Sequence, residues 1–140
     1  MKSGIKHVIV LTSNDRIYQW GKFKMGFGPQ WKTVEPQFVS PNSFCNRRVL
    51  QVACGQAYTL ALTQDGQIYS WGFNQCGQLG NGSRSSELEP VKITGSNGFD
   101  KKFVSVACSA CVSFAVDIKG HVSLKSGLEL ERIFHFSHVC

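Results

Sequence analysis

Long apolar runs are missing from this chain: no stretch approaches the roughly 18 residues a membrane span needs. Acidic residues are scarce, nine against fifteen lysines and arginines, which leaves a formal net charge of +6. The basic residues never form a run of five, so the positive charge is spread over a surface rather than gathered into a nucleic-acid arm. Only four prolines are present, and no segment up to residue 123 carries a sustained helical period. The apolar run near the start, Val8 to Leu11, is shorter than the core of a secretion signal. The six cysteines are therefore expected to be reduced thiols inside a cell, in cytoplasm or nucleus.

What is abundant points elsewhere. Fourteen glycines and 11% aromatics, with 42% hydrophobic residues, suit many short strands joined by tight turns. The chain also repeats itself. LQVACGQAYTLALTQDGQIYSWG at 50–72 aligns with GIKHVIVLTSNDRIYQWG at 4–21 when shifted by 51. Leu11 then meets Leu62, Thr12 meets Thr63, Ile17 meets Ile68, Tyr18 meets Tyr69, Trp20 meets Trp71 and Gly21 meets Gly72. KKFVSVAC at 101–108 matches RRVLQVAC at 47–54 with a shift of 54, so three residues are inserted between Gly77 and Glu89.

Each copy has a strand logic. Tyr58, Leu60 and Leu62 alternate with Thr59, Ala61 and Thr63, the period of two that marks a strand. Asp65-Gly66 is a two-residue hairpin signal, and Ile68 to Trp71 is the return strand. Pro90–Thr94 and Phe103–Cys108 supply a second pair of strands. Four short strands per repeat of about 50 residues describe a propeller blade. The third copy breaks down: Lys125-Ser126 stands where a Trp-Gly is expected, and residues 124–140 follow no repeat register.

IYSWGFNQCGQLGNG at 68–82, with VACGQAYTLALTQDG at 52–66 before it, resembles the signature of the regulator of chromosome condensation repeat family. The resemblance covers roughly residues 4–123 and implies an all-β fold, an incomplete β-propeller. Two to three four-stranded blades of a seven-bladed type are expected at about 1–47, 48–101 and 102–123, the last partial. Residues 124–140 are expected to be a short irregular or helical tail, either an alternative terminus or a cap on the last blade.

The glycine-rich stretch Gly77-Gln-Leu-Gly80-Asn-Gly82 lacks the lysine and hydroxyl of a phosphate-cradling loop. Close packing between blades, with Leu79 as a hydrophobic plug, is the expected role. Trp20 and Trp71 are expected to pack in the core or between blades. Cys108-Ser-Ala-Cys111 has metal-type spacing, with His135 and His138 further on, but Cys108 and Cys111 replace the small positions Cys54 and Ala57, so packing is preferred to zinc. No catalytic, cofactor or metal site is assigned, and no enzyme is expected.

Propellers of this family imply partner-binding platforms. The expected function is a protein-interaction module, a scaffold or adaptor surface in ubiquitin-ligase or small-GTPase regulation. The alternatives are a guanine-nucleotide exchange factor for a small GTPase and a chromatin-binding protein. In the family's exchange factor the turn after the repeat glycine helps meet the GTPase. The matching turns here, Ile5-Lys6-His7, Gln56-Ala57-Tyr58 and Ala110-Cys111-Val112, contain no carboxylate. Lys6, His7, Gln56 and Tyr58 on this turn face are the expected partner-binding residues.

Overall fold

At the Asp65-Gly66 turn the chain must pass through φ +77° at Gly66, a left-handed conformation that costs other residues about 1 kcal/mol or more. The equivalent turn of the first copy makes the same bend with Asp15 at φ 63°. These bends fold the flanking β-formers back into antiparallel pairs, and the hairpins repeat along the chain. The computed structural model describes residues 1–3, 7–23, 31–93, 102–125 and 134–135.

Three four-stranded antiparallel sheets result, each a meander in chain order. Sheet one holds β1 (Lys2–Ser3), β2 (His7–Leu11), β3 (Ile17–Phe23) and β4 (Trp31–Val39). Sheet two holds β5 (Val49–Cys54), β6 (Tyr58–Thr63), β7 (Ile68–Gly72) and β8 (Glu87–Lys92). Sheet three holds β9 (Phe103–Cys108), β10 (Ser113–Asp117), β11 (His121–Lys125) and β12 (Phe134–His135). A short 3₁₀ turn, Pro41–Phe44, links the first two sheets, capped by the Ser40 hydroxyl on the Asn42 N–H.

The segments around Pro90 and Phe103 are both strands but do not pair with each other. β8 closes sheet two, hydrogen-bonded to β7, and β9 opens sheet three beside β10. In the tail, Phe134–His135 pair with Val122 and His121 as the outer strand of sheet three. Leu124 and Lys125 continue β11, so that strand crosses the expected boundary at 123–124 and persists without the repeat Trp-Gly. Residues 126–133 and 136–140, where a helical turn was an alternative, lie outside the described residues.

The sheets stack face to face as blades. Strand alternation sends successive residues of sheet two to opposite neighbours. Val49, Val52, Ala61, Tyr69 and Trp71 join Ile9, Ile17, Val39 and Phe44 in a core shared with sheet one. Ala53, Tyr58, Leu60, Leu62, Ile68 and Leu79 join Val106 and Ala115 in a core shared with sheet three. Every residue of β6 and β7 is buried as a consequence. Phe44 sets its ring edge-on against Tyr69 and Trp71, with centroids 5.3 and 5.9 Å apart.

Contacts between blades and a candidate partner-binding cleft

The repeat's signature residues explain how one blade grips the next. The Trp71 indole N–H donates to Gln19 Oε1 of sheet one at 2.7 Å. Gly72 leaves room for the chain opposite, because a Cβ there would stand 2.6 Å from the Ala57 carbonyl oxygen. Trp20, at the same repeat position, is half-buried in sheet one. Gln51 on β5 accepts the Val106 N–H of β9 through its side-chain oxygen at 3.1 Å. The Phe103 N–H bonds the Gly66 carbonyl at 2.9 Å, tying the hairpin tip of sheet two to the start of sheet three.

Burial removes two of the residues expected to meet a partner. Tyr58 is 0% exposed, and its hydroxyl donates to the Val112 carbonyl at 2.7 Å, with the Ser109 carbonyl 3.1 Å away. Burial pushes the phenol pKa far up and keeps it a neutral donor. His7 is 2% exposed, with Nε2 3.1 Å from Thr59 Oγ1 of sheet two. Burial lowers its pKa, and a backbone hydrogen bond at Tyr58 only partly opposes this, so the ring is neutral at physiological pH. Both side chains reach from one blade's turn into the next blade, which is why the same repeat position carries both. Gln56 is exposed, with its backbone N–H donating to the Ala110 carbonyl at 3.2 Å. Lys6 lies outside the described residues.

The loop after β7 is built on Asn74, which is fully buried. Its Oδ1 accepts the Leu79 N–H, while its Nδ2 lies within bonding distance of Asn81 Oδ1 and the carbonyls of Ser83 and Ser85. This coil inserts Leu79 into the core between sheets two and three, the plug role expected of it. Ser70 and Ser113 clamp the inserted segment, donating to the carbonyls of Leu79 at 2.9 Å and Gln78 at 2.6 Å.

The metal-type spacing does not produce a metal centre among the described residues: no three His, Cys, Asp or Glu side chains gather there. Cys108 is partly buried beside Tyr58, with burial pushing its thiol up to about 12, whereas Cys111 faces the neighbouring loop. Among the described residues no helix is long and apolar enough to cross a membrane.

A feature invisible in the repeat alignment lies on the flank of the first two sheets. Arg16, Tyr18, Phe38, Pro41, Arg47 and Arg48 line an open cleft of about 620 Å³. Phe38 is 52% exposed and packs its ring on Tyr18 at a centroid distance of 5.7 Å. Arg47 pairs with Asp65, and Arg48 Nε lies 2.9 Å from Asp15 Oδ2. Arg16 has no ion pair among the described residues. An uncovered aromatic pair beside three guanidinium groups suits a polypeptide offering a carboxylate and an apolar side chain.

Stacked four-stranded meanders sharing their cores pairwise define consecutive blades of an all-β, repeat-built propeller. The chain belongs to the regulator of chromosome condensation (RCC1) repeat family, whose model matches residues 14–62 and 65–116, with a second model of that repeat matching 49–78. It is similar to the human E3 ubiquitin-protein ligase HERC2, 32% identical over 74% of this chain and 2% of that protein. It is 33% identical to the RCC2 homolog of Danio rerio over 83% of this chain and 23% of that protein. The ultraviolet-B receptor UVR8 of Arabidopsis thaliana is 31% identical over 84% of this chain and 26% of its own length. The chain thus spans about a quarter or less of these relatives.

Solved structures agree on the fold. Human WBSCR16 superimposes with a TM-score of 0.66 at 27% identity, over 76% of this chain and 28% of its own. Prp20p of Saccharomyces cerevisiae gives 0.72 at 23% identity, over 94% of this chain and 35% of its own.

Proposed function

We propose that this chain is a protein-interaction module, a run of propeller blades that acts by binding rather than by catalysis, in ubiquitin-ligase or small-GTPase regulation. The observation that carries the reading is the cleft formed by sheet one and the segment that leads into sheet two, where Phe38 stands exposed beside Arg16, Arg47 and Arg48. The state of the titratable groups supports it. His7 is buried against Thr59, His121 is held by Asp117, and Asp15 and Asp65 face arginines, so these groups serve the scaffold. The name of one relative supports the setting, since HERC2 is called an E3 ubiquitin-protein ligase.

The test is a pair of substitutions, Arg16→Glu and Phe38→Ala, in the full chain, with bound proteins compared by quantitative mass spectrometry. Both side chains are exposed at the cleft, so the fold is expected to survive. Loss of the same proteins from both variants is the expected result. An unchanged set of bound proteins rejects the cleft as the binding site.

Guanine-nucleotide exchange is the second reading, favoured by the fold shared with Prp20p, whose structure report describes binding to Gsp1p and histones. Many-fold acceleration of nucleotide release from a small GTPase would replace binding alone with exchange. Chromatin binding through the positive surface predicts affinity that falls steeply between low and moderate salt.

A further inference from the structure

Six cysteines are spread through the chain, and two of them meet across a blade boundary. Cys76 lies in the turn closed by the Gly77 N–H on the Asn74 carbonyl at 2.9 Å. Cys111 lies in the turn closed by the Ser109 N–H on the Val112 carbonyl at 2.8 Å. Each is the third residue of its turn. The turns are held face to face by the Ser113 hydroxyl on the Gln78 carbonyl at 2.6 Å, two residues beyond each cysteine. The Tyr58 hydroxyl and the Gln56 N–H brace the Cys111 turn from behind through the carbonyls of Val112 and Ala110. Within this frame the Cys76 sulfur neighbours the Cys111 thiol, with Cys76 exposed and Cys111 half-buried.

The remaining described cysteines lack this combination. Cys45 is exposed, but its sulfur neighbours the Tyr69 hydroxyl at 3.8 Å, with no second thiol beside it among the described residues. Cys54 and Cys108 are partly buried neighbours, and the Cys108 thiol, pushed up to about 12, is a poor nucleophile at neutral pH.

We propose that Cys76 and Cys111 form a reversible disulfide that joins the second and third blades, closed by exchange with a low-molecular-weight disulfide such as oxidised glutathione. The exposed Cys76 thiolate attacks one sulfur of the small disulfide, forms a mixed disulfide and releases one small thiolate. The Cys111 thiolate then attacks the Cys76 sulfur, forms the protein disulfide and releases the second. Two protein thiols give up two protons and two electrons, and the small disulfide leaves as two thiols. Burial and the neighbouring sulfur raise the Cys111 pKa, so the closing step speeds up as pH rises through and past the ordinary thiol range. Once closed, the bond anchors the loop that carries Leu79 to the turn before β10, through covalent linkage in place of hydrogen bonds alone.

The experiment treats the full chain with oxidised glutathione and maps its disulfides by mass spectrometry without reduction. Trypsin with chymotrypsin separates Cys54 from Cys76. Because Cys108 and Cys111 stay on one peptide, Cys108→Ala, Cys111→Ser and Cys76→Ser variants accompany the wild type. The expected product is a cross-linked peptide two hydrogens lighter than its parts, kept in Cys108→Ala and lost in both serine variants. The oxidised wild type is expected to melt roughly 5–10 °C above its own reduced form, a gain that dithiothreitol abolishes. Comparing one chain with itself keeps this readout independent of how well any variant folds. Glutathione retained on Cys76 without a cross-link overturns the proposal, as does a cross-link between Cys54 and Cys108.

Discussion

The hydroxyl of Tyr58 is one oxygen in a buried ring, yet it closes the polar contact between two blades. Tyr58→Phe keeps the ring in its core and leaves the Val112 carbonyl without that donor. A loss of about 1–2 kcal/mol is expected, read from the urea midpoint at unchanged slope. A change below a few tenths would mean that water replaces the phenol at this junction. The sequence makes His7 and Tyr58 equivalent but cannot say what their turn faces. Alignment reports that two positions share an environment, not whether it is solvent or a neighbouring blade. Trp71 was easier to place, since a tryptophan recurring beside a glycine within a strand pattern has few roles other than packing.

At the level of the element, the loop following β7 is held by Asn74 more than by any glycine in it. Asn74→Ala removes a buried hub that meets one backbone N–H, two backbone carbonyls and one side chain. A destabilisation of about 2–4 kcal/mol is expected, with trypsin cutting after Arg84 much faster than in wild type. An unchanged cleavage rate at Arg84 would show that Leu79 alone anchors the loop. Leu79 was readable as a plug because it is a lone apolar residue set among glycines and polar side chains. Asn74 was not, because the shifts of 51 and 54 carry it to Phe23 and Leu128, so no copy flags it. The cleft was equally hidden: Arg16 lies in the β2–β3 turn, Phe38 on β4 and Arg47 beyond the 3₁₀ turn, and they converge only once these segments have folded together.

For the molecule as a whole, acid is the expected weakness. His7 has a lowered folded pKa, so the unfolded chain binds its proton first, and stability falls as pH drops below about 6.5. At Asp117 burial would raise the pKa, but the N–H groups of His121 and Lys119 and the His121 ring outweigh it and hold the carboxyl low. Its contribution is present above about pH 4 and is lost as pH falls further. Urea midpoints are therefore expected to decline as pH falls below about 6.5 and again below about pH 4. His7→Gln, which keeps a donor for Thr59, is expected to flatten the first decline only. A first decline that survives His7→Gln would assign it to another group. The three-sheet plan itself was legible, because period-two patterning and turn chemistry are local, while the pairing of 134–135 with β11 depends on a distant strand and left no signal.

The match to residues 14–62 begins in the β2–β3 turn and ends within β6, so it takes two strands from one sheet and two from the next. A gene that grows by copying this unit never adds a free-standing blade. Each duplication supplies half of a sheet already begun and half of one still to be finished, so new length arrives zipped to the old. Lineages built this way can change their number of blades while every junction between copies remains an ordinary hydrogen-bonded strand pair.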